Sequence, residues 1–237
     1  MTVPMTAPTV GPDEFLDRLA SIRQRIAAEV ADPTTVTLVA VTKGFGPEAV
    51  RLALDAGLID VGENYADELV AKAVDLSATM GAEAEDVPVP RWHFLGSVQR
   101  NKVPRLAPWV ACWQGVARIA EGRAIAQRHP GARVLVQVDI AGISGRGGVA
   151  PGDVAGLVET LRSESLEVAG LMAVGPPGPP EAARAGFELV TTMADDLGLA
   201  VRSMGMTDDL EVALASGSTM IRVGRALFGP RPPRGEH

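Results

Sequence analysis

One cysteine, one tyrosine and three histidines are all that this chain of 237 residues holds of those types. Cys112 alone can close no disulfide within the chain and can complete no cysteine-based metal cluster. In the apolar stretch "WVACWQGV" it reads as a small core residue. His93, His129 and His237 stand far apart, so no metal site is expected. No apolar run approaches the roughly 20 residues of a membrane span. The start, "MTVPMTAPTVGP", has neither basic residues nor an apolar segment, so a signal peptide is not expected. A net charge of −7 argues against a nucleic-acid or polybasic membrane surface. It does not argue against a small anion, which backbone N–H groups bind without net positive charge. These exclusions lead to the expectation of a cytoplasmic protein with a small-molecule ligand.

What the chain does have is alternation. Short apolar, β-branched runs are expected as strands at 35–43, 58–64, 91–96, 109–116, 133–140, 167–174, 199–206 and 219–224. Between them lie helical patterns such as "PEAVRLALDAG", "GDVAGLVETLRSE" and "DDLEVALASG", which close on or near turn residues. The third connection, "SVQRNKVPRLAP", is a poor helix bounded by Pro104 and Pro108. Before the first strand, Phe15, Leu19, Ile22 and Ile26 fall at helical spacing, with Asp13 as a candidate N-cap. Near-continuous apolar strands joined by helices imply a parallel sheet covered by helices. Repeated about eight times in one such chain, the unit implies a single closed (β/α)8 TIM barrel, class α/β. Residues 13–230 are expected to form it, with 1–12 and 231–237 as disordered ends.

In such a barrel the chemistry collects at the C-terminal ends of the strands. The first strand, in "LVAVTKGFG", finishes on Lys43; a core strand can end on lysine because it has reached water, or because an amine is wanted there. The second ends in "GENYADEL", the third carries His93, and the sixth Met172. The seventh ends in "SMGMTDD" and the eighth in "RVGRALFG", which put Ser203, Thr207 and Gly224 where this fold commonly binds phosphate. Asp208 and Asp209 would there serve as cap and first-turn residues. Arg222 shares a strand face with Gly224 and points into the barrel, where it needs a partner; an ion pair with Glu63 or Asp139 is one reading. Lys43 opposite a phosphate site supplies two elements needed to hold pyridoxal 5′-phosphate covalently. Imine formation needs an unprotonated amine, which an enclosed site with cationic neighbours favours.

The segments "AVTKG", "GENYADEL", "WHFLGSVQRNK", "GLMAV" and "SMGMTDDLEVALASGSTMIRVGRALFG" resemble, in order and spacing, the pyridoxal-phosphate homeostasis protein family. Those proteins look like the barrel domain of alanine racemase standing alone. The resemblance implies that Lys43 forms a Schiff base with pyridoxal 5′-phosphate, that Asn64 lines the pocket and that Met172 packs near the ring. It implies that Ser203, Gly224 and the backbone around Met204, Gly205, Met206 and Arg225 hold the phosphate, and that Arg222 faces the pyridine nitrogen. Departures from the family pattern are Val98 for leucine, Arg146 for lysine, and "KGFG" for a more polar sequence.

An arginine at the ring nitrogen disfavours the pyridinium that makes the cofactor a strong electron sink. A two-base racemase also needs an acid/base on each face of its substrate. Tyr65, the one tyrosine, follows Asn64 and is poorly placed for the opposite face; His93 reads as an interior histidine. The leading expectation is thus a carrier of the cofactor in vitamin B6 homeostasis, without turnover, with apo pyridoxal-phosphate enzymes as candidate recipients. A monomer is expected, since the racemases' dimer-forming second domain has no counterpart here. The alternatives are an amino-acid racemase on the same cofactor, or a Schiff-base aldolase that would use Glu63 beside Lys43.

Overall fold

The computed structural model describes residues 6–80, 88–143 and 147–230. Eight parallel strands close in sequence order: β1 (Thr37–Val41), β2 (Asp60–Glu63), β3 (Arg91–Phe94), β4 (Val110–Val116), β5 (Arg133–Val138), β6 (Glu167–Ala173), β7 (Val201–Ser203) and β8 (Met220–Val223). Closure is made by β1 on β8, with Val39 opposite Arg222 and Ala40 opposite Val223. Around the barrel lie α1 (Pro12–Glu29), α2 (Pro47–Asp55), α3 (Ala66–Met80), α4 (Val103–Leu106), α5 (Ile119–Ala126), α6 (Val154–Ser163), α7 (Arg184–Asp196), α8 (Leu210–Ala215) and α9 (Arg225–Phe228).

The helix α1 buries Phe15, Leu19, Ile22 and Ile26, the four residues whose spacing marked it. Its Gly11 boundary carries no side-chain cap, and Pro12 opens the helix. Phe15 packs on Phe228 with ring centroids 5.3 Å apart, and Phe45 on Phe228 at 5.7 Å, so α1 and α9 lock together over the start of the α2 unit. A small apolar cluster of Val39, Cys112, Leu135, Met172 and Met220 fills the barrel interior. Burial pushes the Cys112 thiol up to about 12, so it stays protonated.

Several strands are shorter than the apolar runs that announced them. The first ends at Val41, not at Lys43. The Thr42 N–H still reaches the Gly62 carbonyl at 3.0 Å, after which the Phe45 N–H returns to the Thr42 carbonyl and closes a turn. Gly44 takes φ +84° in that turn, a conformation that costs glycine nothing. Lys43 is therefore carried on a turn above the sheet. The third connection is the single helical turn α4, as its two prolines led one to expect.

Candidate functional site

A cavity of about 660 Å³ opens at the C-terminal mouth of the barrel. Of the ten residues the sequence nominated, Lys43, Asn64, Met172, Met206, Arg222, Gly224 and Arg225 line it. They come from the ends of β1, β2, β6, β7 and β8, so closure of the sheet is what assembles them. Ser203, Met204 and Gly205 are not among its lining residues. Met204 is packed in the core, and its N–H bonds the Met220 carbonyl at 3.0 Å. The Gly205 carbonyl accepts from the Arg222 N–H at 3.1 Å. Arg146 lies outside the described residues, and Val98 is buried in the outer core.

Arg222 is buried and finds its partners in neutral oxygens. Its Nη1 donates to the Ser203 carbonyl at 2.6 Å and to Ser203 Oγ at 2.7 Å, and its Nη2 to the Ala173 carbonyl at 2.8 Å. Burial lowers its pKa to about 10, the charge of Asp209 opposing, so it stays cationic at neutral pH. The ion pair considered with Glu63 or Asp139 does not form. Asp139 accepts from the Ala141 and Gly142 N–H groups at 3.1 and 2.9 Å. Glu63 accepts from Lys72 Nζ at 2.5 Å, a pair with no exposure on either side. Burial pushes the Glu63 carboxyl above its ordinary range, and the Lys72 ammonium opposes that rise. Glu63 is thus turned away from the cavity that Lys43 lines, which removes the carboxylate the aldolase reading required.

The side of the cavity where the sequence led one to expect phosphate is built from β7, β8 and the loops that follow them. Thr207 and Gly224 line the cavity beside Arg225. Arg225 Nη2 meets Asp208 Oδ2 at 2.7 Å, and the Met206 N–H donates to Asp209 Oδ1 at 2.6 Å. The two aspartates that begin the α8 turn are therefore engaged with the loop itself. Thr207, placed by its segment just before a helix at the end of the seventh strand, is thus at the cavity, whereas Ser203 of the same segment is not. Tyr65 is 38% exposed and is not among the cavity-lining residues. His93 is buried between Asp60 Oδ1 and Gln114 Nε2, at 2.8 Å from each, an interior histidine that does not reach the cavity.

The arrangement is a closed parallel (β/α)8 barrel with a mouth lysine, a buried arginine and the loops after β7 and β8 gathered around one cavity. Residues 16–232 match the family described as "Alanine racemase, N-terminal domain". A pyridoxal phosphate homeostasis protein of Pseudomonas aeruginosa is 37% identical over 220 residues, covering 90% of this chain and 92% of that protein. Its Escherichia coli K12 namesake is 31% identical over 239 residues, covering 92% and 97%. The structure of PipY from Synechococcus elongatus with pyridoxal phosphate bound superposes with a TM-score of 0.77 at 30% identity, covering 91% of this chain and all of that one. Alanine racemase of Corynebacterium glutamicum shares the fold at a TM-score of 0.65 and 16% identity, with 66% of its length covered. The chain belongs to the alanine racemase N-terminal domain family and, within it, to the pyridoxal phosphate homeostasis proteins.

Proposed function

We propose that residues 13–230 form a barrel that binds pyridoxal 5′-phosphate at its mouth and serves vitamin B6 homeostasis as a carrier without turnover. The observation that carries the reading is that Lys43 and Arg222 line one cavity together with Thr207, Gly224 and Arg225. The residues fit the cofactor: a primary amine for the aldehyde, a cation beside the ring, and donors for the phosphate. When bound, the cofactor supplies an aldehyde to a primary amine and a ring that withdraws electrons best when its nitrogen is protonated.

Arg222 has only N–H groups to offer, so it stabilises a ring nitrogen that accepts, and it does not support a protonated one. Asn64 and Met172 shape the wall around the ring, and Met172 is buried. The acid/base groups near the mouth are engaged elsewhere, Glu63 with Lys72, Asp208 with Arg225 and Asp209 with the Met206 N–H, while His93 lies in the interior, held by Asp60. That engagement supports a carrier over a racemase. The proposal extends to a monomer acting in the cytoplasm, with apo pyridoxal-phosphate enzymes as recipients.

The test is the visible absorption of protein incubated with pyridoxal 5′-phosphate, for wild type and Lys43→Ala, before and after borohydride. Wild type is expected to show a visible band, and borohydride to fix a phosphopyridoxyl group on Lys43. Lys43→Ala is expected to show neither. A colourless wild type after reconstitution would overturn the reading.

A further inference from the structure

Five side chains form one hydrogen-bonded file through the barrel, from the cavity toward the opposite mouth. Arg222 Nη1 donates to Ser203 Oγ at 2.7 Å, and Ser203 Oγ to Gln114 Oε1 at 2.7 Å. Gln114 Nε2 meets His93 Nδ1 at 2.8 Å, and His93 Nε2 meets Asp60 Oδ1 at 2.8 Å. Ser203 and Gln114 are wholly buried, and Arg222, His93 and Asp60 nearly so. Beyond Asp60, at the first residue of β2, Arg91 donates to both carboxylate oxygens at 3.0 and 2.6 Å.

The two ends of this file cannot reverse. A guanidinium only donates, and an ionised carboxylate only accepts. Ser203 Oγ therefore accepts from Arg222 and must place its own proton on Gln114 Oε1. That fixes the Gln114 amide with its nitrogen toward His93 Nδ1, which must then be the unprotonated ring nitrogen. The second Gln114 N–H meets Met220 Sδ at 3.1 Å, a weak acceptor consistent with the same amide orientation. The remaining ring proton sits on His93 Nε2 and is donated to Asp60. Each group between the ends thus has one orientation, and neighbouring bonds in such a file polarise one another.

We propose that Asp60 and His93, acting through Gln114 and Ser203, are positioning residues for Arg222 and so for the ring nitrogen of the bound cofactor; this rests on the cofactor reading above. The relay keeps the Ser203 proton away from Arg222 and leaves lone pairs facing the guanidinium. It holds that cation in the wall on neutral hydrogen-bond acceptors, with no carboxylate among its hydrogen-bond partners in the described residues and Asp209 acting on it only through its charge. Removal of the Asp60 acceptor frees His93 to rotate or change tautomer, and the loosened file ends at Arg222.

The experiment has two arms. In the apo protein, nitrogen-15 NMR of the imidazoles is expected to show His93 with a pyridine-type Nδ1 and a pyrrole-type Nε2. In the second arm, pyridoxal 5′-phosphate is titrated into wild type, Asp60→Ala and Asp60→Asn. Asp60→Ala is expected to bind about three- to tenfold more weakly and to shift the visible maximum. Asp60→Asn, which keeps an acceptor oxygen for His93, is expected to recover the wild-type maximum. A protonated Nδ1, or a folded Asp60→Ala with wild-type affinity and maximum, would overturn the proposal. Should Asp60→Ala not fold, Gln114→Leu cuts the same file and is read in the same way. A wild type with the expected tautomer but no cofactor uptake would overturn the functional reading, and the positioning role with it.

Discussion

Lys72 is fully buried, with its ammonium 2.8 Å from the Thr42 carbonyl and 2.5 Å from Glu63. Thr42 precedes Lys43 and Gly44 follows it, and the Gly44 N–H donates to Glu68 Oε2 at 2.7 Å. The charged residues of β2 and α3 thus hold both sides of the turn that carries the mouth lysine. Removing one partner of a buried pair leaves the other uncompensated, at a cost of roughly 3–5 kcal/mol. Lys72→Met is expected to destabilise by about that amount in urea unfolding, and adding Glu63→Gln to recover most of it. The loss should depend on pH. Without Lys72 only the Thr42 hydroxyl is left to oppose the burial that raises Glu63, with Glu68 raising it further, so the folded chain keeps a proton that the unfolded chain has released. A group whose folded pKa is raised loses its stabilising contribution as pH climbs through that value. Lys72→Met is therefore expected to be closer to wild type at pH 5 than at pH 8; an equal deficit at both would sink the account.

Among the elements, β7 is the narrowest joint in the barrel. It has three residues, Val201–Ser203, yet Ser203 closes the relay to Arg222 and the following loop lines the cavity. Its neighbour β6 places Gly170 opposite Val201. A Cβ added at Gly170 would run into the Val201 carbonyl oxygen, and its next neighbours are other atoms of Val201, the carbonyl carbon at 2.6 Å. Backbone cannot yield as a flexible side-chain tip does, so the two strands would have to part. Gly170→Ala is expected to cost at least about 2 kcal/mol, at the upper part of the usual overpacking range. It should also weaken cofactor binding, because the displaced strand carries the Arg222 partner. Urea unfolding together with a pyridoxal 5′-phosphate titration checks both; a variant as stable as wild type would show that the strands can separate without penalty.

For the whole molecule, the cavity draws on the ends of six strands and on the loops that follow them. A ligand bound there touches the barrel around much of its rim and binds the folded chain alone. Saturation at about 100 times its dissociation constant adds roughly 2.7 kcal/mol of stability. For a chain of this size that corresponds to a rise in Tm of about 5–10 °C. Thermal unfolding with and without pyridoxal 5′-phosphate is expected to show that rise in wild type and to lose most of it in Lys43→Ala. An equal rise in both would place the binding away from Lys43. Among the described residues no helix is long and apolar enough to cross a membrane.

Much of this was legible along the chain because it is local. The spacing of Phe15, Leu19, Ile22 and Ile26 marks a buried helix face, the paired prolines shorten the third connection, and apolar runs alternating with helices require a covered parallel sheet. Strand ends are also local, so Lys43, Arg222 and Gly224 were found by asking what stands there. What neighbouring strands do to one another was not legible. Glu68 and Lys72, four apart on α3, carry no sign of burial in their own segment, and only the packing of α3 against the sheet buries them with Glu63. Ser203 read as a phosphate ligand until the barrel set it between Arg222 and Gln114. A side chain's type and strand face are set by its own segment, whereas its hydrogen-bond partner is set by the register of strands distant in sequence. The sequence determined the barrel and the residues at its mouth; the tertiary structure decided which of them face the cavity and which hold the others in place.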